Sequence, residues 1–130
     1  MEFEISVDFE LRRRSFLHAF GNMTSPRPPR AETDIPLDGE GFVNAQRERG
    51  KRPKGASTFG NVDLAPLTGH YHRIPRQTEM PEGLAVIADG ANTHHTIFPT
   101  QRMLFLTFSD RFLGLPWKYG GTKPKPSGKK

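Results

Sequence analysis

The chain has 130 residues, which suits one domain with one modest core, and 34% of them are hydrophobic. It holds no cysteine, so disulfide frameworks, thiolate zinc sites and cysteine nucleophiles are excluded, and no apolar run approaches the roughly 20 residues that span a bilayer. A formal net charge of +5 with a pI near 9.9 attracts polyanions, among them nucleic acid and phosphate-bearing cofactors.

Phe3, Ile5, Val7, Phe9 and Leu11 alternate with polar residues, the clearest strand signal in the sequence. This acidic, alternating start has neither the basic head nor the apolar middle of a signal peptide, and the expectation is a protein that works in a reducing cytoplasm, reached if necessary by a leaderless route. Ser15–Phe20 either extends that strand after a break or begins a second one. Residues 21–41 read as loop, because Pro26, Pro28, Pro29 and Pro36 interrupt any ladder. Phe42-Val43 reads as a short strand, and residues 45–55 as an exposed basic loop.

His70–Ile74 alternates as a strand does and stops at Pro75. Leu84–Ala88 is a compact apolar strand closed by the turn signal Asp89-Gly90. Thr93–Phe98 is β-branched and aromatic and ends at Pro99, close enough behind to complete a hairpin. From Met103 to Leu113 the period changes: Leu104, Phe108 and Phe112 recur at four and predict one helix, stopped by Gly114 and Pro116. Trp117 and Tyr119 are expected to pack back on the body, and the glycine- and lysine-rich stretch from Gly120 onward to be disordered. The sum is an α+β domain over residues 1–120, with an antiparallel or mixed sheet and few helices, followed by a basic tail at 121–130.

The densest polar group is Thr93-His94-His95-Thr96. On a strand His94 and Thr96 share one face and Thr93 and His95 the other, so one histidine meets a cleft or the core. A core histidine bonded to a carbonyl is the plain alternative. Ser57-Thr58, between Gly55 and Gly60, offers hydroxyls where a ligand can approach the backbone, although the same string suits an ordinary turn. His70 and His72 share a strand face at a spacing that can hold a metal ion with help from His94 or His95. Such pairs are more often surface histidines, and no metal is assigned. The basic runs carry no interleaved aromatics, so nucleic-acid binding is not favoured.

Three strings in this order carry a resemblance: Gly55–Phe59, Pro81–Gly90 and Thr93–Pro99. They resemble the ADP-ribosyltransferase-like toxin family that includes a Pseudomonas type VI secretion effector and its fungal relatives. Leu67–His72 and Phe112–Tyr119 are similar to the fungal branch, so the likeness extends over residues 15–121. It implies a compact split β-sheet that grips NAD as substrate, a toxic transferase activity in a target cell's cytoplasm, an acceptor molecule, and a cognate immunity protein or antitoxin. Ser57 and His94 match the family's functional serine and histidine, with Thr58 and Thr93 as neighbouring cofactor-binding candidates. Where the family carries Leu-Tyr-Arg on its first conserved strand, this chain has Leu17-His18-Ala19, and Arg14 is the candidate to supply the missing cation. That departure raises a non-catalytic binding module as one alternative. A basic metal-dependent nuclease-like toxin is the other.

Overall fold

The computed structural model describes residues 16–46, 51–91 and 93–126. The predicted strand at residues 3–11, and Arg14 with it, lie outside the described residues. The main sheet has the order β5-β6-β3-β1-β4-β8, antiparallel at every pairing. Its strands are β1 (Phe16–Gly21), β3 (Ala56–Phe59), β4 (Gly69–Pro75), β5 (Leu84–Ala88), β6 (His94–Pro99) and β8 (Lys118–Lys123). A separate ribbon joins β2 (Phe42–Val43) to β7 (Met103–Leu104). Among the described residues there is one α-helix, α1 (Phe105–Leu113), which follows β7 directly, and one 3-10 turn at Val62–Leu64. The result is a small α+β fold built mainly of antiparallel sheet.

Alternation explains which strand face is dry. Leu17 and Ala19 of β1, Ala56 of β3, Ile74 of β4, Leu84 of β5 and Ile97 of β6 are buried together with Met103 and Leu115. Phe108 and Phe112 of α1 complete this core and are almost wholly inaccessible. Each such phenylalanine contributes about 1.5–3 kcal/mol relative to an exposed one. The predicted helical stripe needs one correction: Leu104 is 51% exposed. It belongs to β7, where it pairs with Phe42 across the ribbon, and the helix begins one residue later. Trp117 packs on Phe112 and donates its indole N–H to the Phe112 carbonyl at 2.9 Å.

The order ascribed to the chain stopped too early as well. β8 pairs with β4 as far as Lys123 and so takes in the first residues of the expected disordered tail. Composition alone suggested disorder because it does not see a partner strand. Gly120 suits that pairing, since a Cβ there would come within 2.6 Å of the Tyr71 ring.

The proline-rich residues 22–41 form a strap with only isolated bridges, Pro26 to Gly21 at the end of β1 and Ala31 to Ile35. Ile35 anchors the strap in the core. Asp38 closes its far end by accepting the backbone N–H groups of Glu40 and Phe42 at 2.9 and 3.0 Å and the Arg102 guanidinium at 3.0 Å. The bond from Phe42, chief among these, holds the Asp38 carboxyl below the usual range.

Gly55 enters β3 under tight constraint. A Cβ on it would lie 2.2 Å from the Ile97 carbonyl oxygen of β6. Gly55→Ala therefore has to push β3 and β6 apart, at an expected cost of about 1–3 kcal/mol. Urea unfolding of the variant should show a lower midpoint with an unchanged slope. An unchanged midpoint would mean that the two strands are free to shift.

Candidate functional site

The sheet is weakest where β1 meets β3. Their pairing comes down to a single position, His18 opposite Phe59, whereas β1 and β4 pair over six positions. His18 Nδ1 also bonds the Phe59 carbonyl at 2.9 Å across this junction. Burial beside the Phe16 and Tyr71 rings pushes the His18 pKa below its ordinary 6.5, so at neutral pH it is an uncharged imidazole that donates Nδ1–H. Beyond that clamp the sheet splits. A cleft of about 270 Å³ opens between Ala19 and Phe20 of β1 and Ala56, Ser57 and Phe59 of β3. The strap covers it with Arg27, Arg30 and Asp34. A second hollow of about 230 Å³ adjoins, lined by Arg52, Lys54, Asp89, His94 and Thr96, and it shares Ser57 and Asp34 with the first.

Ser57 therefore stands where the two hollows meet. It is the exposed residue of a strand whose other members are buried. Its register partner is Thr96, and that of Phe59 is His94, which places all four side chains on one side of the sheet. The Ser57 hydroxyl lies 3.0 Å from His94 Nε2. His94 Nδ1 lies 2.7 Å from Asp89 Oδ1, and the Thr96 hydroxyl donates to Asp89 Oδ2 at 2.5 Å. A carboxylate can only accept, so Asp89 requires the proton on Nδ1. In the neutral ring Nε2 then carries the lone pair and accepts the Ser57 hydroxyl. Asp89 is well shielded, with 7% of its side chain exposed against 25% for His94. Water therefore competes little for the carboxylate, and the imidazole is held in one tautomer and one direction.

The β5–β6 hairpin builds this geometry. Asp89 directly follows β5, and its N–H returns to the His94 carbonyl at 3.1 Å. The turn closes with His94 N–H on the Ala91 carbonyl at 3.1 Å. Thr93 adopts a left-handed φ of 59°. Its carbonyl and hydroxyl accept the N–H groups of Gly60 and Asn61 at 2.8 and 2.7 Å, stitching the turn to the end of β3. The Phe59 and His94 rings pack in a T-shaped arrangement with their centroids 5.2 Å apart, which limits rotation of the imidazole.

Of the residues singled out in the sequence, Ser57 and His94 come together in the cleft. Thr58 turns the other way, is wholly buried, and spends its hydroxyl on the His95 carbonyl at 3.1 Å. It supports the backbone and does not reach the cleft, because a strand sends adjacent side chains to opposite faces. Thr93 braces the hairpin. His95 lies on the buried face and bonds Thr93 and Arg76. His70 and His72 sit on β4, three strand spacings from β6, or roughly 14 Å at the usual separation. They do not converge with His94 or His95, and His70 is bonded to Tyr119 and His72 to the Asn22 carbonyl. No group of three or more candidate ligands for a metal ion occurs among the described residues.

Asp89 and Thr96 escaped the sequence reading. Asp89 was legible only as a turn former, and Thr96 only as sharing a face with His94. The available signal was the hairpin itself, since an aspartate at the end of one strand lies across from the first residues of the next. In the sequence Arg27 and Arg30 count only toward the net charge, which does not tell that they line the cleft beside β1.

The chain belongs to the Tse2 ADP-ribosyltransferase toxin family, whose model matches residues 9–120. No curated protein and no solved structure gives a significant match.

Proposed function

We propose that this protein is a toxin that uses NAD as substrate, transfers its ADP-ribose inside the cytoplasm of a target cell, and carries Ser57 and His94 as its catalytic pair. The observation that supports this most is the hydrogen-bonded series Ser57–His94–Asp89–Thr96 standing between two hollows of a split sheet. A dinucleotide has two halves joined by a pyrophosphate. Two adjoining hollows with Arg27, Arg30, Arg52 and Lys54 around them suit that shape and charge.

Cleaving the nicotinamide–ribose bond builds positive charge on the ribose as nicotinamide leaves with the bonding electron pair. The protein's task is to hold the dinucleotide, exclude water and stabilise that state more than the ground state. Ser57, backed by His94, is placed to stand at the reacting ribose, and the cations to hold the phosphates. Ala19 stands in the cleft wall at the position of the arginine in the family's Leu-Tyr-Arg string. In this reading Arg27 and Arg30 of the strap take over that cation's work. A producing cell then requires an immunity protein or antitoxin.

The test is nicotinamide release from NAD by the purified protein, with and without a desalted lysate of susceptible cells. Release above the protein-free rate is the expected result, and it also disposes of a non-catalytic binding module. Its persistence after thorough chelation argues against a metal-dependent toxin. No release in either mixture would sink the proposal.

A further inference from the structure

We infer that the molecule accepting ADP-ribose is an uncharged hydroxyl, either water or an alcohol group of a larger target, and not a guanidinium or ammonium group. The inference rests on the proposed NAD chemistry and names the second substrate of the same site.

The first ground is what His94 can receive. Asp89 accepts a hydrogen bond from Nδ1–H, so in the neutral ring Nε2 keeps a lone pair on the side of Ser57. It already accepts a hydroxyl, that of Ser57, at 3.0 Å. A neutral imidazole backed by a shielded carboxylate is an effective acceptor for a proton leaving an oxygen, because the imidazolium that forms is stabilised at once by Asp89.

The second ground is charge. A cationic acceptor needs a carboxylate to orient it and to take up its positive charge. Two carboxylates line the two hollows among the described residues, and both are engaged. Asp89 gives one oxygen to His94 and the other to Thr96. Asp34 is gripped by Arg30, whose Nε and Nη2 each lie 3.2 Å from one of its oxygens. The remaining charged side chains, Arg27, Arg52 and Lys54, repel a second cation.

The step balances. The acceptor hydroxyl donates to Ser57 Oγ, and the Ser57 proton passes to His94 Nε2. The acceptor oxygen bonds the ribose carbon while the carbon–nitrogen bond breaks, its electron pair neutralising the pyridinium nitrogen of the departing nicotinamide. NAD and an alcohol thus give the O-linked ADP-ribosyl product, nicotinamide and a proton, which His94 returns to solvent. With water the product is free ADP-ribose.

A competition experiment decides this. The 130-residue chain is given NAD with methanol, agmatine and lysine methyl ester at equal concentrations, and the products are resolved by mass spectrometry. A parallel run with ADP-ribose in place of NAD identifies adducts formed off the protein. The expected products are ADP-ribose and methyl ADP-ribose, with agmatine and lysine adducts no higher than in the parallel run. A dominant agmatine or lysine adduct alongside nicotinamide release would overturn the hydroxyl assignment and leave the NAD reading standing. No nicotinamide in any mixture would overturn both.

Discussion

His94→Ala is expected to lower nicotinamide release by at least about 100-fold, the lower end of what a positioned acid–base group supplies. The substitution removes the only side chain that touches both the Ser57 hydroxyl and the Asp89 carboxylate in this network. It also removes the ring that meets Phe59, so some stability is lost with the chemistry. His94→Gln keeps most of the volume and a polar end, and serves as the folding control. Both variants belong beside Ser57→Ala, for which a loss of about 10- to 100-fold corresponds to one strong hydrogen bond or proton relay. Ser57 is exposed, so that change should leave the melting temperature almost where it was. Circular dichroism and thermal unfolding establish that each variant is folded before rates are compared. Folded His94→Gln and Ser57→Ala proteins with wild-type nicotinamide release would rule out both residues as the catalytic pair.

Asp89→Asn should be nearly as damaging, although Asp89 is a positioning residue that acts through His94. An amide of the same shape can present either a donor or an acceptor to Nδ1, and it gives an imidazolium no charge to lean on. The expected result is a fall of about 100-fold or more in kcat with KM for NAD changed little, since both Asp89 oxygens are directed to protein partners. That division separates the positioning role from simple structural damage, which would depress binding and stability together. Thr96→Val leaves the carboxylate in place and withdraws one donor from Oδ2, so a milder loss of about tenfold is expected. If Asp89→Asn raises KM alone and spares kcat, Asp89 contacts the dinucleotide and does not hold the histidine.

Together these variants form a graded series along one line of hydrogen bonds. The further a residue lies from the cleft, the more its effect should appear in turnover and the less in substrate affinity. Double variants such as Ser57→Ala with Asp89→Asn should lose much less than the product of the single effects, because residues that act as a unit are not additive.

Local periodicity by itself determined much of this molecule. The compact apolar run Leu84–Ala88, closed by its turn signal, and the β-branched run after Thr93 define β5 and β6 almost to the residue, because such short runs bounded by turn formers suit buried strands. The prolines of residues 21–41 rule out a ladder strand there for want of N–H donors. The period of four marks α1, and the order of short strings around Ser57 and His94 carried the family resemblance. What periodicity does not encode is which strand lies beside which. Strand order, the single pairing that lets β1 and β3 part, and the return of β8 to β4 are choices among distant segments, made by packing and by the space beside Tyr71. Leu104 lost its helical place to the same kind of choice, a ribbon with Phe42. Ser57 and His94, 37 residues apart in the chain, meet only because β3 and β6 pair in one register. A slip of one residue would send Ser57 to the buried face. Asp89 reads as a turn in one dimension and becomes the support of a histidine in three, since a hydrogen bond across a hairpin depends on the closing geometry and not on composition.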